Sequence, residues 1–175
     1  MIIFLYIILV IVVLVTFLAI LAPKTYDVNR SVMINKPLAE VFNFLKYLKN
    51  QAYWSPWEEK DPNIKKEFLG TDGEVGFITK WEGNKDVGVG EQEIKAIVDN
   101  EIVKTQLRFY KPWKSESYAY LKVEKVDKNS TKVVWGFSGY NKFPMGIMMI
   151  FMSMDKIIGK DFEYGLSKLK LYFDK

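Results

Sequence analysis

From Ile2 to Ala22 the chain carries no charged residue, and only Tyr6 and Thr16 interrupt an otherwise apolar run. As a helix this run covers about 30 Å, the thickness of a bilayer's hydrocarbon core. A core helix of a soluble protein keeps a polar face where it meets water, and this run has none. Two readings remain, a secretory signal that is cut off and an anchor that is retained. A cleavable signal needs basic residues ahead of the apolar stretch and small residues before the cut. Here only Met1 precedes the run, Ile20 stands where a small residue is wanted, and Pro23 follows Ala22. The expectation is therefore a retained single-pass anchor, residues 1–23, with the membrane as partner through Ile2 to Ala22. Lys24, Arg30 and Lys36 follow the span, a charge bias that holds the rest of the chain in the cytoplasm, although Asp27 dilutes it.

Residues 24–175 are the length of one domain and contain no Gly/Ser-rich linker, low-complexity tract or internal repeat. The chain has no Cys and no His. That removes thiol nucleophiles, disulfides, Ser-His-Asp triads and every Cys or Cys/His zinc site, so no metal site and no cofactor are expected. The 25 basic and 21 acidic residues are spread along the chain and not gathered in a block, so no nucleic-acid partner is expected either.

The order of elements follows from periodicity. Tyr26, Val28, Val32 and Ile34 alternate with polar neighbours, the pattern of a half-buried strand. Asn35-Lys36-Pro37 ends it and opens a short amphipathic helix, Pro37 to Leu48, whose Leu38, Val41, Phe42 and Leu45 fall on one side. A second short helical region around Tyr53-Trp54-Ser55-Pro56-Trp57 ends at the turn Asp61-Pro62-Asn63. Six strands then follow: Lys65 to Gly70, Val75 to Glu82, Gly88 to Val98, Ile102 to Tyr110, Ser115 to Val126 and Thr131 to Tyr140. Gly-, Asn- and Asp-bearing turns separate them, apart from the loop Lys111-Pro112-Trp113-Lys114, so the strands form an antiparallel meander.

One face of this sheet is dry. Val75, Phe77, Thr79 and Trp81 share a side, as do Val103, Thr105, Leu107 and Phe109, then Ala119, Leu121 and Val123, then Val133, Trp135 and Phe137. The cover for it comes last, a helical apolar rhythm from Met145 to Phe173 read as one long helix. The expected class is α+β: a curved antiparallel sheet of about seven strands around a long C-terminal helix, two short helices after the first strand, and the N-terminal span.

That order resembles the SRPBCC superfamily of START and birch-pollen-allergen-like helix-grip proteins, in particular the membrane-anchored bacterial branch grouped as polyketide cyclase/dehydrase and lipid-transport-like proteins. The strings that carry the resemblance are Arg30 to Pro37, Trp54-Ser55-Pro56-Trp57, Asp61-Pro62-Asn63, Gly73-Glu74-Val75-Gly76, Trp81-Glu82-Gly83, Thr131 to Trp135 and Met154 to Phe162. The resemblance implies a cavity between sheet and long helix that takes a hydrophobic small molecule or lipid, and it implies the bacterial inner membrane as location. No catalytic set carries over, because the superfamily spans carriers, receptors and enzymes on one fold.

Within such a cavity, Trp81, Trp135, Leu107, Phe109 and Phe137 are the candidate apolar walls, and Thr79, Gln92 and Thr105 are the candidate partners for a ligand's polar group. Core packing is the competing reading for the aromatics, and a one-residue register slip would turn the polar three outward. Met148, Phe151 and Met152 join the candidates because Met145 to Met154 is apolar on every side. Such a segment is buried all round or faces lipid, and methionine repacks around varied apolar shapes. Arg30 reads as a surface or salt-bridged residue, and Glu58-Glu59 with Asp61 as a solvated bend. The leading function is non-catalytic binding of an apolar ligand. The alternatives are a cyclase or dehydratase-like enzyme, which requires a carboxylate or Tyr deep in the pocket, and an interaction module using Tyr118, Tyr120 and Arg108 on the outer sheet face.

Overall fold

The computed structural model describes every residue from Met1 to Lys175. Helix α1 (Ile2–Leu21) is long and apolar enough to cross a membrane, and none of its residues is buried. Ala22, Pro23 and Lys24 join it to strand β1 (Thr25–Ile34), which is followed by α2 (Leu38–Leu45), a 3₁₀ turn (Leu48–Tyr53) and α3 (Pro56–Lys60). The meander then runs through β2 (Lys65–Leu69), β3 (Ile78–Glu82), β4 (Val89–Val98), β5 (Ile102–Lys111), β6 (Ser115–Lys125) and β7 (Thr131–Tyr140). Helices α4 (Met145–Phe151) and α5 (Met154–Phe173) close the chain.

The seven strands form one antiparallel sheet in the order β1-β7-β6-β5-β4-β3-β2, so the first strand returns to pair with the last. This is the α+β architecture that the periodicity and the turns predict. A register shift between Ile94 and Ala96 bulges β4 and adds to the sheet's curl. Strict alternation places Ile34, Val103, Leu121, Val123, Val133 and Trp135 on the concave side, where they pack with Val41, Phe42 and Leu45 of α2 and with Phe162, Leu166, Leu169 and Phe173 of α5. Each such fully buried aliphatic side chain contributes about 1.5–3 kcal/mol. Arg30 holds α5 against β1. Its Nε donates to Glu163 Oε1 at 2.6 Å, and its Nη1 and Nη2 donate to the Asp155 carboxylate at 2.7 and 3.0 Å. Gly159 makes room for this contact, because a Cβ there would lie 2.5 Å from Arg30 Nη2.

The expectation of one helix from Met145 to Phe173 is corrected. Met152 and Ser153 are extended, with φ/ψ of −124°/142° and −107°/131°, and they separate α4 from α5. Ser153 stands at the N-cap with Asp155 in the first turn, a start signal that the continuous apolar rhythm conceals. Val75 also lies outside the sheet, since the chain turns through Gly76 at φ +92° before β3 begins.

Candidate functional site

The antiparallel order collects the start of β1, the end of β7, the start of β6, the end of β5, the start of β4, the end of β3 and the start of β2 at one end of the sheet. This is the end where α1 arrives. At the opposite end α2 plugs the sheet with Val41, Phe42 and Leu45, and the core is packed solid. Toward the α1 end the concave face is not filled. A cavity of about 260 Å³ opens there beneath α3 and the first turns of α5.

Each wall has a local origin. Thr79 and Trp81 of β3, Gln92 of β4, Leu107 and Phe109 of β5, Ala119 of β6, and Trp135 and Phe137 of β7 all point inward by alternation. Ile158 and Phe162 of α5 form the floor, and Trp57 of α3 covers one side. Trp135 stacks on Phe162 with centroids 4.1 Å apart, and Trp54 and Trp57 meet its edge at 4.8 and 5.5 Å. That aromatic stack divides packed core from cavity. Trp81 lies over Gly90, where a Cβ would sit 2.6 Å from the indole, and meets Phe109 edge-on at 5.8 Å. Only glycine at position 90 lets the indole lie flat against β4.

The polar groups at depth are neutral, and they include buried Ser55 and, beside it, Gln51. Gln92 Nε2 donates to Thr105 Oγ1 at 3.1 Å, and Thr105 Oγ1 donates to the Ala119 carbonyl at 3.3 Å. Thr79, paired with Gln92 across β3 and β4, has a buried Oγ1 with no hydrogen-bond partner, and it is the one such side-chain atom in the molecule. A buried hydroxyl without a partner costs about 1–3 kcal/mol, and because this oxygen is sealed from the cavity it lowers stability without offering itself to a ligand. Charged lining is confined to groups that reach solvent: Glu58 ion-paired with Lys66, and Asp86 in the β3–β4 loop.

Seven of the candidate residues, Thr79, Trp81, Gln92, Leu107, Phe109, Trp135 and Phe137, line this cavity together, and Thr105 stands directly behind Gln92. Met148, Phe151 and Met152 do not. They are 51%, 79% and 47% exposed on and just after α4, which the break at Met152–Ser153 carries away from the sheet. Sequence reasoning missed Trp57, Ile64, Lys66, Ile158 and Phe162 as lining residues. Ile158 and Phe162 were legible on the inner side of α5 but read as core. The bend around Asp61 is exposed at Glu59, Lys60, Pro62 and Asn63, but the Asp61 side chain itself is not solvated. Asp61 is buried and accepts backbone N–H groups from Asn63 at 3.0 Å and Asn84 at 2.6 Å, which fixes the β3–β4 loop beside the cavity.

On the outer sheet face, Arg108 donates to Glu91 at 2.5 Å and to Glu93 at 2.6 Å, and the Tyr120 ring covers Gly136. The guanidinium holds the Glu93 carboxyl below its ordinary value, while its carboxylate partners raise Arg108's own pKa. These groups satisfy one another, and only Tyr118 of the interaction-module residues stands free.

The architecture has solved counterparts. A truncated norcoclaurine synthase from Thalictrum flavum superposes with a TM-score of 0.61 at 13% identity, over 84% of this chain and 94% of that one. A structural-genomics protein from Nitrosospira multiformis gives 0.59 at 16% identity over 85% and 96%. The Aha1 dimer from Colwellia psychrerythraea gives 0.53 at 16% identity over 83% and 92%. The chain has a helix-grip fold. At these identities the likeness is one of fold. No family model matches the sequence, and no curated protein matches it. In this helix-grip chain the grip is tight at the α2 end and loose at the α1 end, and the cavity lies in the loose half.

Proposed function

We propose that the chain is a membrane-anchored helix-grip domain that binds a small, uncharged, apolar molecule with one hydrogen-bonding group, without transforming it chemically. The single observation that carries this reading is the unfilled cavity between the sheet and α5, walled mainly by apolar side chains, with Gln92 as a neutral polar group at depth. About 260 Å³ exceeds the ~150 Å³ engineered cavity that accepts benzene, and suits a bicyclic ring system or a short acyl segment. Gln92 is neutral and only one of its amide N–H groups is used by Thr105, so a carbonyl or hydroxyl gains a partner there. A carboxylate or ammonium would lose its hydration with no counter-ion. The carboxylates that an enzyme would need, Glu58 and Asp86, reach solvent, and Glu58 is committed to Lys66. The run Ile2–Leu21 supports the anchor, since its side chains find no burial within the domain.

The test is native mass spectrometry of the full chain extracted in lipid nanodiscs, with fluorescence titration by a neutral solvatochromic naphthalene probe. Wild type should carry or take up one neutral ligand. Ala119→Leu, which fills the cavity from β6, should retain its fold by circular dichroism and lose binding at least tenfold. Equal uptake by wild type and Ala119→Leu would remove this reading.

A further inference from the structure

Three exposed features gather at the α1 end of the domain. The first is apolar: Phe143 and Phe151 are 69% and 79% exposed, and Met148 and Met152 stand out beside them on and around α4. The second is aromatic: Trp113, in the loop between β5 and β6, and Tyr140, at the end of β7, are about as exposed. The third is charged. Lys24, Lys85, Lys111, Lys114 and Lys142, all exposed, occupy the loops and strand ends on this side, and of the exposed acids there Asp86 is in a loop while Asp27, Glu82 and Glu116 stand on the strands.

Their position relative to α1 is fixed. Three residues, Ala22, Pro23 and Lys24, link α1 to β1, and at full extension they reach about 10 Å. The Asn141 backbone N–H donates to the Lys24 carbonyl at 2.9 Å and its Nδ2 donates to the Pro23 carbonyl at 3.0 Å. Gly146 of α4 packs against Ala22, to which a Cβ at position 146 would approach within 3.4 Å. The exit of α1 is therefore tied to α4. If α1 spans a bilayer, α4 and the lysine-bearing loops lie within reach of its headgroups.

We propose that this end of the domain seats on an anionic lipid bilayer. In this arrangement Phe143, Met148, Phe151 and Met152 enter the headgroup–acyl boundary, Trp113 and Tyr140 lie in the interface, and the lysines face lipid phosphates. The inference rests on the reading of α1 as a span. A second copy of the chain is a poor occupant, because pairing through this face would oppose the same five lysines. The seating also brings the cavity next to lipid: Asp86 and Val87, at its rim, belong to the β3–β4 loop on this side. An apolar ligand would then pass between bilayer and cavity over a short aqueous path.

The chain has no cysteine, so single labelling sites are simple to place. Phe151→Cys, Trp113→Cys, Lys128→Cys in the turn at the opposite end, and Val10→Cys within α1 are each spin-labelled in the full chain. They are reconstituted in vesicles of phosphatidylcholine with phosphatidylglycerol, and collisions with oxygen and with a water-soluble nickel chelate are compared. The oxygen-to-nickel ratio should be several-fold higher at positions 151 and 113 than at 128, with 151 approaching position 10. If positions 151 and 113 match 128 while position 10 reports lipid, the seating is overturned and the anchor stands. If position 10 is also aqueous, both fall. Immobilised labels at 151 and 113 that oxygen does not reach preferentially would identify a protein contact and overturn the proposal. In a second arm, Lys111→Glu with Lys114→Glu and Lys142→Glu should reduce the ratio at position 151 in the anionic vesicles.

Discussion

Thr79→Val separates stability from binding. The side chains match in shape, but valine replaces the orphaned hydroxyl with a methyl group. Leaving a buried hydroxyl unpaired costs about 1–3 kcal/mol, and the substitution recovers most of that while placing an apolar group on an apolar wall. A central gain of about 1.5 kcal/mol converts, at roughly 2–4 °C per kcal/mol for a domain of this size, into a melting temperature about 3–6 °C higher without ligand. Binding should be nearly unchanged, because the hydroxyl oxygen is sealed from the cavity and makes no contact with a ligand. Thermal unfolding of the full chain in nanodiscs, followed by near-ultraviolet circular dichroism, gives the first number, and titration with the neutral naphthalene probe bearing a carbonyl gives the second. If Thr79→Val is no more stable than wild type, the hydroxyl is satisfied in the free protein, and if the substitution weakens probe binding several-fold, the hydroxyl reaches the ligand after all; either result refutes the reasoning.

Gly90→Ala should lower stability by about 1–3 kcal/mol, because the added Cβ would meet Trp81 at 2.6 Å and the Arg108 carbonyl at 2.5 Å. The displaced indole should also change the near-ultraviolet dichroism and weaken probe binding, whereas denaturation at an unchanged midpoint would show that the contact relaxes freely. Hydrogen bonds from Arg30 hold the Asp155 carboxyl below its ordinary value of 3.8. Its contribution to stability is therefore complete above that value and lost as pH falls through the depressed one. Arg30→Gln should flatten the acid limb of the melting-temperature profile below about pH 4 and leave its shape near neutrality unchanged. An identical acid limb in both proteins would show that this clamp does not couple to folding.

Local chemistry made much of the fold legible. Alternation along Val103 to Phe109 and Ala119 to Val123 fixed the dry face, and because the register has the parity it predicts, Thr79 and Gln92 arrive side by side on β3 and β4. What stayed hidden depends on partners distant in sequence. Asp72 caps the 3₁₀ turn by accepting from the backbone N–H groups of Leu48 and Lys49, at 2.8 and 3.2 Å, and Asp61 reaches Asn84. Neither bond has a signature in its own neighbourhood, because the N–H groups that each carboxylate reads belong to other segments. Trp57 and Ile64 escaped notice for the same reason: only the tertiary placement of α3 over the concave face makes them walls.

The least legible feature, the break at Met152–Ser153, is also the one on which both proposals depend. Had α5 run on backward through Met145, the nine added residues would extend its axis by about 14 Å beyond Met154, with methionines on every side of the cylinder. The apolar rhythm gives no reason for it to stop, because the segment holds no proline and is rich in methionine, a good helix former. The Asp155 contact provides one, since a carboxylate in the first turn favours a helix start there and Arg30 holds that start against β1 through the same Asp155. The chain before it is released to fold as α4 and turns toward Ala22. The break at Met152–Ser153 thus has two consequences. The α1 end of the sheet is left without the plug that α2 supplies at the other end, which is why a cavity exists there. The methionines and Phe151 that the inner face does not use are set at the foot of the anchor, where lipid is the apolar phase within reach.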